Sequence, residues 1–144
     1  TGALRLYFYT GNQWNFIAGD TGGTTNNFDV GFFTRDMTTA SGDQSITGVG
    51  FSPRATVMLA NRSATADASV GLNDAVTKAV INNNHSASAD TWESTDLFSI
   101  QATQGANVFY RGVISSFNAD GFTVTWTRTG TPTGTLNVFF LATR

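Results

Sequence analysis

Hydrophobic residues come in short bursts along this chain, and most bursts alternate with polar residues at a spacing of two, the period of a half-buried strand. The clearest case is Phe122-Thr-Val-Thr-Trp-Thr127, which places Phe122, Val124 and Trp126 on one face and the threonines on the other. Residues 13–18 alternate in the same way and put Trp14 and Phe16 together. Residues 4–9 and 28–34 read as strands, and residues 44–50 as a short strand ending in Gly-Val-Gly. Residues 55–60 form a continuous apolar run of the length of a buried strand. Residues 136–142 make a last strand in which the adjacent Phe139 and Phe140 point to opposite faces. That placement implies cover on both sides, from a second sheet or from a neighbouring subunit.

The middle is more ambiguous. Residues 66–81 fit two strands, 68–72 and 75–81, turning at Asn73-Asp74, or one short helix on Leu72, Val76, Ala79 and Val80. Recurring valines and few helix-surface residues favour the strands. Residues 82–90, rich in Asn and Ser, read as a long polar loop. Residues 97–102 and 107–116 read as strands joined at Gly105, and Asn118-Ala-Asp-Gly121 as a hairpin turn. Roughly nine to eleven short strands separated by turns predict an all-β fold, an antiparallel two-sheet sandwich or jelly roll. The length of 144 residues suits a single domain over 1–144, with 1–27 as a candidate N-terminal docking segment.

Composition narrows the function. Charged residues are 12% of the chain, about half the ~25% usual in soluble domains, and Asn, Ser, Thr and Gly supply most of the polar surface. Lys78 and Glu93 are the lone lysine and glutamate. A net charge of −2 argues against nucleic-acid binding, which needs a basic surface to displace phosphate counterions. The absence of cysteine excludes disulfides, thiol catalysis and cysteine-ligated zinc. No apolar run approaches the ~18–20 residues of a membrane helix, so no membrane partner is expected, and no segment reads as a signal peptide.

Candidate chemistry is sparse. His85 is the single histidine, set among Asn and Ser; Ser86, Ser88 and Asp90 are too close to it in sequence to form a catalytic triad on their own. Asp90, Glu93 and Asp96 are the densest acidic cluster, with Trp92 between them, and could serve a calcium ion, a sugar shelf or glycan hydrolysis. Against this, most acids fall where Asp is favoured simply as a turn residue. Asp20-Thr-Gly carries the string of aspartic proteases, which need it twice. Glycine-rich stretches occur without a phosphate-loop lysine or a dinucleotide fingerprint, so no cofactor is expected. Trp14 and Trp126 read as core, whereas Trp92, with Asn83 and Asp90, is the candidate platform for a glycan.

Three segments together resemble β-rich structural proteins of tailed bacteriophages. They are Gly31-Phe-Phe-Thr with Gln44-Ser-Ile-Thr-Gly-Val-Gly-Phe-Ser-Pro53, the strand at 55–60, and Ser116-Phe-Asn-Ala-Asp-Gly-Phe-Thr-Val124 leading into residues 135–142. The resemblance implies a virion location and a non-enzymatic role, foremost as a capsid decoration (cement) protein bound to the major capsid protein or other virion proteins. It implies a homotrimer, and Tyr7, Tyr9, Trp14 and Phe16 would then be contact residues. A tail or fibre component and a carbohydrate-binding receptor module are the alternatives.

Overall fold

A computed structural model describes residues 6–9, 14–17, 27–63, 67–85, 90–105 and 107–144 of the chain. Its strands are β1 (Leu6–Tyr9), β2 (Trp14–Ile17), β3 (Phe28–Asp36), β4 (Gly42–Thr47), β5 (Ala55–Arg62) and β6 (Ala68–Asn73). They continue with β7 (Lys78–His85), β8 (Asp90–Thr95), β9 (Ile100–Gly105), β10 (Val108–Asn118), β11 (Gly121–Thr129) and β12 (Thr135–Thr143). All pairings are antiparallel. Strands β1 and β2 form a hairpin; the others form a four-stranded sheet, β4-β11-β10-β9, and a six-stranded sheet, β3-β12-β5-β6-β7-β8. The fold is the expected all-β, two-sheet sandwich.

The two sheets meet through aromatic side chains. Phe33, Met58, Val138 and Phe140 come from the six-stranded sheet, and Ile100, Tyr110, Phe122, Val124 and Trp126 from the four-stranded sheet. Phe122 packs edge-on to Phe140, with ring centroids 5.2 Å apart and planes at 88°, an arrangement favoured by the ring quadrupoles. Gly31 sits opposite Phe140, and a Cβ there would run into the Phe140 ring. The Phe122, Val124 and Trp126 face is buried as the alternation predicts. Trp126 gives its indole N–H to Gln44 Oε1 at 3.0 Å, so its polar atom is satisfied inside the core.

A second, polar contact joins β6 and β7 to the edge strand β9. Asn73 Nδ2 donates to Ser99 Oγ at 3.1 Å, Asn82 Nδ2 to Thr103 Oγ1 at 2.9 Å, and the Gln101 amide to Ser69 Oγ at 3.4 Å. Arg111 Nε donates to Gln101 Oε1 at 3.0 Å and holds that side chain in place. Successive residues from Ser99 to Thr103 are therefore buried on both sides of the strand. The backbones approach so closely that a Cβ on Gly71 would land on the Ser99 carbonyl.

This seam explains where the strands depart from expectation. Residues 82–85 belong to β7 and Asp90 opens β8, so the expected loop is strand at both ends. Thr103 accepts a hydrogen bond from the buried Asn82 Nδ2, which offsets part of the cost of taking the amide out of water, while Asn82 Oδ1 has no partner among the described residues. The two-strand reading of 66–81 holds, with the turn at residues 74–77 and the second strand starting at Lys78 instead of residue 75. There the Asp74 carboxylate accepts the amides of Val76 and Thr77, and Ala75 takes a φ of 75°. The run at 55–60 is buried on one face only, since Leu59 is 53% exposed.

The structure also unites the Gly-Val-Gly turn and the Asp-Gly hairpin. Asp120 accepts the Gly48 amide at 3.1 Å and the Gly50 amide at 2.6 Å through its two carboxylate oxygens. Both glycines have positive φ, 89° and 81°, which an L side chain rarely adopts. The turn then delivers Val49 and Phe51 into the core. Replacing Asp120 with Ala removes two charge-assisted bonds, and unfolding in urea should show a loss of about 1–3 kcal/mol. An unchanged midpoint would mean that the turn is held by Val49 and Phe51 alone.

Candidate functional site

The outer face of the six-stranded sheet follows from its inner face. Because side chains alternate, the residues between those that fill the core point away from it. One row runs Phe32, Phe139, Leu59, Val70 and Ile81 across five adjacent strands. The next runs Val30, Leu141, Val57, Leu72 and Ala79 across the same strands. Phe32 and Phe139 touch, with ring centroids 5.0 Å apart. Phe32, Leu59, Leu72, Ile81 and Phe139 are each 51–54% exposed and Val30 66%, so a grid of large apolar side chains faces solvent.

On one flank the grid is bordered by a polar but uncharged row, Thr34, Asn137, Asn61, Ala68 and Asn83. Two hollows indent it. One, of about 470 Å³, lies among Val30, Phe32, Val57, Leu59, Phe139 and Leu141. The other, of about 330 Å³, lies near Val57, Leu72, Asn73, Asp74 and Thr77. An apolar grid of this extent, unbroken by charge, is the kind of surface that marks a contact with another macromolecule. Its two central rows offer a partner apolar contact and no hydrogen-bonding side chain.

Most sequence-predicted candidates fall elsewhere. Tyr7 pairs with Phe16 and Tyr9 with Trp14 in the β1–β2 ladder, and their side chains lie outside the described residues. Asp20, Ser86 and Ser88 also lie outside them. Asn83 pairs with Trp92, and His85 with Asp90, along β7 and β8, which extends the polar row to Trp92 by register. Asn83 Oδ1 is buried with no partner among the described residues. The structure thus brings Asn83 to Trp92, while Asp90 sits two positions further along the strand. Glu93 pairs with Asn82 and Asp96 is exposed. No group of three or more His, Asp or Glu that could hold a metal occurs among the described residues. Trp126, expected in the core, is 1% exposed.

The apolar grid itself was announced in the sequence only by Phe139 and Phe140. The other members hide in strands whose apolar residues look like core.

No protein-family model matches the chain, and neither a curated protein nor a solved structure matches it.

Among the described side chains, charge near the face stands at its ends. Asp36 ends β3, beyond Thr34, and Asp74 occupies the β6–β7 turn. The Thr38 amide and then its hydroxyl hold the Asp36 carboxyl below the ordinary aspartate value, with weaker attraction from Arg128 and Arg35. The Thr77 and Val76 amides do the same for Asp74. The unfolded chain lacks these donors, so its carboxyls bind protons at higher pH than those of the folded protein. The stability they contribute is complete above the ordinary carboxylate range, near about pH 4, and is lost as the pH falls further. The urea midpoint should decline between about pH 5 and about pH 2, and less steeply in an Asp36→Asn/Asp74→Asn double variant. Equal slopes would show that other carboxylates govern acid unfolding.

Proposed function

We propose that this chain is a non-enzymatic structural protein of a tailed-phage virion, acting as a capsid decoration (cement) protein that assembles through the outer face of its six-stranded sheet. The observation that carries this reading is the grid around Leu59, Val70 and Phe139, apolar and free of charge over five strands. A surface of that kind serves protein assembly, since the cores of protein interfaces are depleted in charge and enriched in aromatics. Further support comes from Asp120, which ties together two of the segments that resemble virion proteins. In a decoration protein such a clamp would keep the sandwich rigid while the sheet face makes the contacts.

Particles purified from the phage or prophage that encodes the chain should contain it in fixed stoichiometry to the major capsid protein. Deleting its gene should leave particles that still assemble but release DNA at a lower temperature on heating. Particles devoid of the chain, measured by quantitative mass spectrometry, would overturn the assignment.

A further inference from the structure

We infer that the outer face of the six-stranded sheet is covered by a second copy of this chain, the two faces packing as sheet on sheet in a symmetric dimer. This rests on the reading of that face as a docking surface and names its occupant.

The area is the first argument. Strands lie about 4.8 Å apart and same-face residues about 6.8 Å apart, so three rows across five strands, from the Thr34 row to the Val30 row, span about 24 Å by about 20 Å, and Phe28, Thr143 and Ala55 add about 14 Å by about 7 Å beyond them. That flat footprint, on the order of 580 Å², is the larger part of the ~800 Å² per partner of a stable interface before side-chain relief is added.

The chemistry of the face is the second. Its two central rows carry no hydrogen-bonding side chain, so a partner reads them only by shape and apolarity. Permanent homodimer interfaces are the more apolar class, whereas interfaces between separately stable partners are about as polar as ordinary surface. The two central rows, without charge, are also self-complementary, because two copies meet there with no like charges opposed. The chain's net charge of −2 therefore does not oppose pairing at this face.

Sheet-on-sheet packing supplies the geometry. Two apolar faces stack about 10 Å apart with interdigitating side chains. Phe32, Leu59 and Phe139 rise beside the 470 Å³ hollow and provide both the ridges and the recess that such stacking needs. A two-fold arrangement uses the same patch twice and closes on itself.

The test uses the full chain, with molar mass measured by light scattering after size exclusion. The wild type should run at twice 15.3 kDa. Leu59→Lys, at the centre of the face, should halve that mass while keeping the β-sheet circular dichroism. Val76→Lys, at a residue 90% exposed in the β6–β7 turn and off the grid, should leave the dimer intact. Should Leu59→Lys fail to fold, Leu59→Cys supplies the sole thiol in a cysteine-free chain. A short bismaleimide should then give a covalent dimer, and Val76→Cys should give none.

A monomeric or trimeric wild type, or a dimer indifferent to Leu59→Lys, overturns the inference. A monomer in solution whose Leu59→Lys variant no longer enters phage particles overturns it too, but leaves the virion reading standing, with another virion protein on the face. A Leu59-dependent dimer absent from particles upholds the pairing and removes the virion assignment.

Discussion

The contact between Phe122 and Phe140 sets the register on which the rest of the sandwich depends. With Phe140 fixed inward, its neighbours Phe139 and Leu141 must point outward, because consecutive strand residues alternate. Strand β12 lies between β3 and β5, and its ladders pass the same phase on to both. Phe33 and Met58 turn in, while Phe32 and Leu59 turn out. A slip of one residue in β12 would exchange the two faces across the sheet, and the ring packing at the core forbids it. The exposed grid is thus a consequence of the core, fixed as firmly as the core itself.

Past β5 the same phase is kept by a different interaction. In β6 and β7 the inward residues include Ser69, Asn73 and Asn82, and the outward ones Val70, Leu72 and Ile81. Hydrophobic burial alone would turn these strands over. The polar bonds to Ser99, Gln101 and Thr103 oppose that, and so does the close passage of Gly71 against the Ser99 carbonyl, where no side chain fits. Pairing with β5 adds the ladder constraint. Reversing the strands would leave the buried polar groups of β9 without partners, at a cost of about 1–3 kcal/mol for each.

That inversion also marks where the sequence could be read and where it could not. In β11 the alternating pattern and the burial agree, so Phe122, Val124 and Trp126 were legible as core and the Asp-Gly hairpin as a turn. Around residues 82–90 the reading failed, since asparagine signals a loop when its bonding partner is unknown. Asn82 becomes a strand residue only once Thr103, 21 positions away, is brought opposite it. The outer face was hidden for the converse reason: valines and leucines in β5 and β6 look like core in any one strand. Only the strand order assembles them into a continuous surface. Phe139-Phe140 was the exception, because two adjacent large aromatics in a strand cannot share one core.

The distribution of charge follows the same division. With 12% charged residues the chain has few to place, and among the described side chains those near the outer face, Asp36 and Asp74, stand at its ends and close turns. A monomer that must stay soluble commonly places lysine or glutamate on an exposed sheet face to keep apolar residues apart. Here the two central rows of outward positions on five strands carry Phe, Val, Leu, Ile and Ala. One buried carboxylate on this surface would disfavour any apolar partner by the cost of desolvating it. The arrangement therefore offers apolar area to a partner at the expense of solubility in isolation, which is the balance the proposed assembly requires.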